Sequence, residues 1–299
     1  MGYMNVLITG ATGFIGTALC EEFVHNGHNV TAVIRPNSYK KKRLLKDVNV
    51  IELSIDKLSE LTGSYDLFYH LAWNGSSGDE RNDFEIQNSN IQYTADAIRA
   101  AKRCGCRKFI GAGSQAEYGV VHGLCNEDTT VPNPFMMYGA AKLASYHMGR
   151  VLAEQLEISF VWPRIYSVYG VGENEGTLIS YVIKTLKEGG IPELSSCENM
   201  WDFMYITDCV RALKILGEKD LSNNEQYIYN VSHGEPKMLK IFVERIRDII
   251  SPSANLKFGV KSLNVDRTFW LNPDIIHLKE ATGFMPEVSF DDGIRMMVK

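Results

Sequence analysis

Residues Gly10-Ala-Thr-Gly13-Phe-Ile-Gly16 join a short apolar run, Val6 to Thr9, to a helical segment, Ile15 to Asn26. The first glycine permits a tight turn, the second lets backbone approach a pyrophosphate, and the third allows close helix–strand packing. The helix N-terminus adds free N–H groups and a positive dipole. This context predicts a dinucleotide-binding loop rather than an ordinary βα turn. The residues expected to line it are Gly10, Thr12, Gly13, Phe14, Ile15 and Gly16.

Apolar runs typical of buried strands alternate with helical segments through the first half of the chain. The other predicted strands are Val30 to Ile34, Val48 to Leu53, Leu67 to Leu71, Lys108 to Gly111 and Ile158 to Trp162. This alternation predicts an α/β fold with a Rossmann-type, doubly wound parallel sheet between layers of helices. After Pro163 the elements shorten and prolines punctuate them. We therefore expect a Rossmann domain over 1–165, to which part of 200–232 returns, and a smaller mixed α/β lobe over 166–299.

Composition limits the classes of partner. The chain has 299 residues and a net charge of -5, and this weak acidity argues against nucleic acid as a partner. No apolar run reaches the length of a membrane span, and no signal-peptide pattern precedes the first strand, so the expectation is a cytoplasmic protein without a membrane partner. The six cysteines form no C-x-x-C pair and do not cluster with histidines at zinc spacing. This pattern predicts reduced thiols and no metal site.

The end of the second predicted strand indicates which dinucleotide is used. An acidic residue there binds the ribose 2′-hydroxyl of NAD, whereas an arginine accommodates the 2′-phosphate of NADP. Arg35 stands at this position, Ser38 can add a hydroxyl, and a basic run from Lys40 to Arg43 follows. The sequence therefore favours NADP. NAD remains possible if Arg35 only stacks on the adenine.

Three polar residues form a candidate catalytic group. Tyr138 and Lys142 lie four residues apart at the start of a predicted helix, so their side chains share one helix face. A neighbouring ammonium favours the phenolate and enables the phenol to exchange protons near neutral pH. Ser114 follows the fifth predicted strand, where its hydroxyl can reach the same reacting oxygen.

These motifs and several others give the chain a resemblance to the extended short-chain dehydrogenases/reductases, specifically to their NAD(P)-dependent sugar-nucleotide epimerase/dehydratase group. The matching motifs run in the family's order along nearly the whole chain. They are GATGFIG, HLAW, Asn90, GSQAEYG, YGAAK, PRIYSVYG, WDFMYITD, YNVSHGEP and GFMPEVSFDDGI.

The resemblance implies roles for individual residues. Ser114, Tyr138 and Lys142 match the family's catalytic triad, and Lys142 would also bind the nicotinamide ribose. Asn90 would support the strand beneath the site, although it can equally be a surface residue. The second lobe would bind the nucleotide half of the substrate. Further cofactor contacts are expected from Leu71 and Ala72, from Pro163 and Ile165, and from Glu52 and Leu53 near the adenine, with Asp56 as the alternative to Glu52.

Departures from the family pattern narrow the chemistry. Gln115 and Ala116 stand where 4,6-dehydratases carry Asp-Glu, which argues against 4,6-dehydration. Trp201 replaces a phosphate-binding arginine of many relatives, so it would stack on a base or sugar or simply pack. The substrate phosphates would then fall to Arg267. The residues expected at the substrate are Gln115, Ser167, Trp201 and Arg267.

The leading hypothesis is an NADPH-dependent reductase of a 4-keto-6-deoxy nucleotide sugar, because HLAW followed by Asn-Gly resembles deoxysugar 4-ketoreductases. The alternative is a nucleotide-sugar 4-epimerase with retained NAD. A third hypothesis, a non-catalytic cofactor-sensing regulator, is disfavoured because such proteins typically lose the tyrosine or the lysine.

A homodimer is expected through the helices Ile86 to Lys102 and Met137 to Gln155. Apolar residues on several faces of these helices are Ile91, Ala95, Ile98, Leu143, Met148 and Val151.

Overall fold

A computed structural model describes residues 2–221, 227–262 and 270–299. Its strands are β1 Asn5–Thr9, β2 Asn29–Ile34, β3 Asn49–Glu52, β4 Leu67–His70, β5 Lys108–Gly111, β6 Gly113–Ser114, β7 Ser159–Ile165, β8 Ser167–Tyr169, β9 Met200–Trp201, β10 Phe203–Tyr205, β11 Ile228–Val231 and β12 Lys237–Met238. Its helices are α1 Phe14–His25, α2 Phe84–Arg103, α3 Met137–Gln155, α4 Leu178–Lys187, α5 Ile206–Glu218, α6 Leu239–Ile250, α7 Ile276–Thr282 and α8 Phe290–Val298.

The main sheet has the strand order β11-β7-β5-β4-β1-β2-β3, and all of these neighbours are parallel. The predicted doubly wound sheet is therefore confirmed. The chain moves outward from β1 through β2 to β3, then crosses back to β4 on the other side. This reversal opens a crevice at the carboxyl ends of β1 and β4, which is where ligands bind in such sheets.

The core lies on both faces of this sheet. Val6 and Ile8 pack in one apolar cluster with Leu19 of α1, whereas Leu7 packs in a second cluster with Phe109. Alternate residues of a strand point to opposite faces, so a continuous apolar run is what a strand covered on both sides requires. Each such side chain stabilises the fold by about 1.5–3 kcal/mol on burial.

Strand β7 extends three residues beyond its predicted end at Trp162. The prediction ended there because a proline, here Pro163, normally argues against a central strand. The strand pairs with β5 as far as Val161 and with β6 from Arg164 onward. Trp162 donates its N–H to Tyr227 of the β11 side, so Pro163 faces the break between β5 and β6. A proline without an N–H group is tolerated at such a break.

The second half of the chain contributes to two regions. Helix α5 packs against α1, and β11 forms an edge of the main sheet. Helices α4, α6 and α8 pack on one another beside two small sheets, parallel β8–β10 and antiparallel β9–β12. Within the described residues, none of the helices is long and apolar enough to cross a membrane. All six cysteines are buried free thiols.

Candidate active site

The glycines of the β1–α1 loop are required by close contacts. Gly10 has φ +71°, and a Cβ there would lie 2.6 Å from the backbone nitrogen of Ala72. A Cβ on Gly16 would lie 2.2 Å from the carbonyl oxygen of Gly10. Gly13 precedes the first residue of α1, so the free N–H groups of the helix begin at this loop. The loop therefore has the backbone space and the donors that a pyrophosphate needs.

The crevice beside this loop has a volume of about 590 Å³. Of the predicted cofactor residues, it is lined by Gly10, Thr12, Gly13, Arg35, Leu53, Leu71 and Ala72. Lys40, from the basic run noted in the sequence, also lines it. Its walls include further residues that were not predicted as cofactor contacts, among them Ile55, Leu58, Trp73, Asn74, Gly75, Ser76, Ser77 and Glu80. A groove of this size, running from the glycine loop to the end of β2, fits an extended dinucleotide.

Other predicted cofactor residues lie away from the crevice walls. Phe14 and Ile15 pack from the first turn of α1 against the core. Ser38 directly precedes the short 3-10 helix Tyr39–Arg43 and is not among the lining residues. Pro163 and Ile165 are buried in β7, where Ile165 pairs with Ser114 of β6.

The end of β2 carries positive charge. Arg35 is exposed and lines the crevice together with Lys40. Glu52, expected near the adenine, instead accepts hydrogen bonds from Lys41 Nζ at 2.9 Å and from the backbone nitrogen of Asn37 at 3.1 Å. The bond from Lys41 holds the pKa of Glu52 below its usual range. Among the described lining residues, this end of the crevice therefore presents two cations and no carboxylate.

Ser114, Tyr138 and Lys142 come together at the carboxyl end of the sheet. The hydroxyl of Ser114 is close enough to the phenol of Tyr138 to lower its pKa. Lys142 Nζ lies 5.7 Å from the centroid of the Tyr138 ring and donates to the carbonyl oxygen of Ala112 at 2.6 Å. Tyr138 and Lys142 are four residues apart on α3, so the phenol and the ammonium lie on one face of the helix, as expected from their spacing.

Burial dominates the electrostatics of this group. It raises the pKa of Tyr138, against the hydrogen bond from Ser114 and the charge of Arg81. It also lowers the pKa of Lys142 to about 7, against the charge of Glu117. Lys142 is 4% exposed, so its charge is poorly solvated in the chain by itself. Burial therefore outweighs the groups that lower the tyrosine pKa, and these groups are Ser114 and Arg81, not the expected Lys142.

Trp73 is a part of the site that the sequence did not indicate as such. Its ring centroid lies 3.5 Å from Lys142 Nζ, and its edge meets the Tyr138 ring at a centroid distance of 6.0 Å. The indole Nε1 donates to Gln87 Oε1 at 2.9 Å, which fixes the plane of the ring. The unusual tryptophan of the HLAW motif was the available signal. Its contact with the lysine depends on the fold.

Two buried polar residues support the site from below. Asn90 is 1% exposed and pairs with the backbone of Asn74, accepting from its nitrogen and donating to its oxygen, both at 2.9 Å. Glu117 accepts from the backbone nitrogen of Ser114 at 2.8 Å and from Arg164 Nε at 2.7 Å. Asn90 therefore holds a wall of the crevice, and Glu117 holds the backbone of Ser114.

Three of the four predicted substrate residues lie in the described part of the chain, on separate elements. Gln115 follows Ser114 and is half-buried, and Ser167 lies on β8, paired with Phe203. Trp201 packs against Phe203, and its buried indole nitrogen has no hydrogen-bond partner within the part of the chain that the structure describes. Arg267 lies outside the described residues.

Known proteins resemble the chain along its whole length. It is 27% identical to an uncharacterised UDP-glucose epimerase of Bacillus subtilis, covering 97% of this chain and 96% of that one. It is 28% identical to dTDP-6-deoxy-L-talose 4-dehydrogenase (NAD(+)) of Aggregatibacter actinomycetemcomitans, over 81% and 88% of the two chains. The crystal structure of UDP-glucuronic acid 4-epimerase from Bacillus cereus, in complex with NAD, is 26% identical with a TM-score of 0.81, over 99% and 96%.

A sequence profile of one protein family covers the glycine loop, the serine, the tyrosine and the lysine together. It matches residues 6–232, which span the main sheet from β1 to β11. The family is described as the NAD dependent epimerase/dehydratase family. The resemblance expected from the motifs is thereby confirmed, and the chain belongs to the NAD dependent epimerase/dehydratase family, a family of enzymes acting on nucleotide sugars.

Proposed function

We propose that the protein is a nucleotide-sugar 4-epimerase that works with NAD. The observation that carries this proposal is the meeting of Ser114, Tyr138 and Lys142 beside the dinucleotide crevice, with Gln115 and Ala116 where dehydration would need an acid–base pair. Such a site can oxidise a hydroxyl and reduce the resulting ketone. Gln115 and Ala116 carry neither an acid nor a base, so these two positions cannot assist the loss of water.

Each residue of the triad has a defined task in this proposal. A bound nicotinamide supplies the acceptor and donor of hydride. Tyr138 removes the proton of the sugar hydroxyl during oxidation and returns a proton to the ketone oxygen during reduction. Ser114 hydrogen-bonds the reacting oxygen. Lys142, on the same helix face, holds positive charge beside the phenolate and binds the nicotinamide ribose.

The relatives reverse the order of the two hypotheses drawn from the sequence. The Bacillus subtilis relative and the Bacillus cereus structure carry epimerase names, and both match nearly the whole chain. This supports the epimerase over the reductase of a 4-keto-6-deoxy nucleotide sugar. The non-catalytic regulator is set aside because the family consists of enzymes and the triad is complete.

The reductase remains a second candidate for one reason. Arg35 and Lys40 line the end of the crevice where a 2′-phosphate of NADP would lie, and the carboxylate of Glu52 is occupied by Lys41. A net reductase draws on NADPH. The name of dTDP-6-deoxy-L-talose 4-dehydrogenase (NAD(+)) fits the oxidoreduction at C4, but its cofactor fits NAD and not NADPH.

One experiment separates these functions. The purified full chain is incubated with NAD⁺ and either UDP-glucose or UDP-glucuronic acid, and the products are followed by proton NMR. An epimerase yields the C4 epimer, visible in the coupling of the C4 proton, without net accumulation of NADH. In parallel, NADPH oxidation is measured with dTDP-4-keto-6-deoxyglucose. NADPH oxidation without epimer formation would replace the epimerase proposal with the reductase.

The proposed assembly is a homodimer through α2 and α3. Met137, Met148 and Val151 are 44%, 61% and 45% exposed, and their spacing places them along one side of α3. Ile98, one of the apolar residues noted on several faces of these helices, is fully buried in a core cluster and is not free for such a contact. The exposed apolar stripe of α3 supports the pairing of two copies there.

A further inference from the structure

An arginine outside the sequence motifs contacts the proposed catalytic tyrosine. Arg81 belongs to the short 3-10 helix Gly78–Asn82, between β4 and α2. Its guanidinium carbon lies 4.6 Å from the centroid of the Tyr138 ring. This distance is typical of a cation–π contact.

The segment that carries Arg81 is fixed on two sides. Asn82 Oδ1 accepts a hydrogen bond from the backbone nitrogen of Met137, at the start of α3, at 3.3 Å. Gln87 Nε2 donates to the carbonyl oxygen of Glu80 at 2.9 Å. Gln87 is itself 1% exposed, so this anchor is part of the protein interior. The backbone at Arg81 is therefore tied both to the helix of Tyr138 and to α2.

Nothing else in the described part of the chain accounts for the position of the Arg81 side chain. No carboxylate there forms an ion pair with Arg81, and its buried Nε atom has no hydrogen-bond partner among those residues. An arginine placed only to stabilise the surface would pair with an acid or extend into water. The contact that the structure shows for the Arg81 side chain is with the ring of Tyr138.

The other groups facing Tyr138 make the charge of Arg81 important. Lys142 is the second cation, 5.7 Å from the ring, and burial lowers its pKa to about 7. The negative charge of Glu117 disfavours the phenolate form of Tyr138, but Glu117 is paired with Arg164 at 2.7 Å. The hydroxyl of Ser114 is neutral. Since a guanidinium stays protonated at any accessible pH, Arg81 is the cation whose charge does not depend on pH.

We propose that Arg81 is a positioning residue for the reaction, which holds the ring of Tyr138 and stabilises its phenolate form by a cation–π contact. The inference rests on the proposed function, because only an acid–base role makes the phenolate useful. It also assigns a purpose to the loop between β4 and α2. This loop lines the cofactor crevice through residues 73–77 and Glu80, and through Arg81 it reaches the catalytic phenol.

The test measures the ionisation of Tyr138 directly. The full chain is labelled with [Cζ-¹³C]tyrosine, and the Tyr138 signal is identified by its loss in Tyr138→Phe. The signal is then titrated in saturating NAD⁺ for the wild type, Arg81→Met and Arg99→Met. Arg99 is a matched control, because it is an exposed arginine on α2 that is paired with Asp96 at 2.9 Å.

We expect the Tyr138 midpoint to rise by about one pH unit in Arg81→Met, since a cation–π contact contributes about as much as one unit of pKa. Arg99→Met is expected to titrate like the wild type. Identical Tyr138 signals in the wild type and Arg81→Met over the whole pH range would overturn the proposal, as would an equal displacement in Arg99→Met. If Arg81→Met does not fold, Arg81→Gln replaces it, with the same criteria.

The titration also separates this inference from the proposed function. If UDP-glucose and UDP-glucuronic acid are not epimerised but the midpoint moves, the coupling of Arg81 to Tyr138 stands and the epimerase does not. If epimerisation occurs, the pH profile of kcat in Arg81→Met should be displaced towards higher pH by the same amount. An unchanged profile would count against the role of Arg81 in the reaction.

Discussion

Lys142 Nζ lies 3.5 Å from the centroid of the Trp73 ring, so the ammonium group of Lys142 is covered by an indole rather than by water. Its hydrogen bond to Ala112 and the charge of Glu117 offset this loss of hydration only in part. Burial therefore lowers the pKa of Lys142 to about 7, from an ordinary value of 10.5. The fold therefore holds Lys142 where its charged form is destabilised.

The lowered pKa of Lys142 predicts that the stability of the protein depends on pH. Between pH 7 and 10.5 the unfolded chain binds a proton at Lys142 that the folded chain has released, so stability rises with pH. We expect Lys142→Met to reduce the gain in the free energy of unfolding between pH 7 and pH 8.5, measured by urea denaturation. Lys108, whose pKa burial lowers to about 8, contributes equally to both proteins and cancels. An equal gain in both proteins would contradict the burial argument.

Tyr138→Phe removes the acid–base group and little else. The ring keeps its contacts with Trp73 and Arg81, so the site should retain its shape. We expect turnover to fall by about a hundred- to ten-thousand-fold, the usual contribution of general acid–base catalysis. Affinity for NAD⁺ or NADPH, measured by fluorescence titration, should stay within a few-fold. Turnover close to the wild-type value would remove Tyr138 from the mechanism.

Glu117→Gln tests the support beneath Ser114. Glu117 and Arg164 are 0% and 1% exposed and lie 2.7 Å apart, so the substitution leaves a buried guanidinium without its counter-charge. We expect the free energy of unfolding to fall by about 3–5 kcal/mol. The control is Asp96→Asn on the surface of α2, where loss of the pair with Arg99 should change stability little. Equal effects of the two substitutions would refute the structural role of Glu117.

Arg35→Asp tests which cofactor is preferred. If Arg35 binds the 2′-phosphate, its loss should weaken NADPH binding about ten- to hundredfold, as expected for a hydrogen bond to a charged group. NADH binding should change less or improve. Lys42→Asp is the control, because Lys42 belongs to the same basic run but is not among the residues lining the crevice. An unchanged ratio of NADPH to NADH affinity in Arg35→Asp would exclude this role.

Met148→Glu tests the proposed dimer. A charge in the middle of the exposed apolar stripe of α3 should separate the subunits, because an unpaired buried charge is costly. Light scattering should give twice the chain mass of 33.6 kDa for the wild type and the single mass for the variant. Val131→Glu is the control, since Val131 is 82% exposed but lies outside α3. A wild-type mass of 33.6 kDa at all concentrations would end the proposal.

Local chemistry was predictable from the sequence, and distant contacts were not. The glycine loop and the Tyr138–Lys142 spacing depend on a few neighbouring residues, and both lie where the sequence placed them. The contacts of Trp73 with Lys142 and of Arg81 with Tyr138 join segments far apart in the chain. No periodicity reports such contacts, because they depend on how the β4–α2 loop folds over α3.

Ile98 shows the same limit within the core. Its helical position allowed an outward orientation, but α2 and α3 approach closely where Gly149 has no side chain. A Cβ on Gly149 would lie 3.1 Å from the Cδ1 atom of Ile98. The isoleucine fills this space and is fully buried. The sequence contains the glycine, but only the packing of the two helices shows which residue uses the gap.

The buried thiols have a practical consequence for work on this protein. Burial raises the pKa of Cys20, Cys106 and Cys209 to about 12, and all six cysteines are enclosed. Because the thiolate is the nucleophile, the native chain should resist alkylation and mild oxidation. A single cysteine introduced at the exposed Leu124 would then be the fast-reacting thiol of the molecule. A fluorophore could be attached there without first replacing any native cysteine.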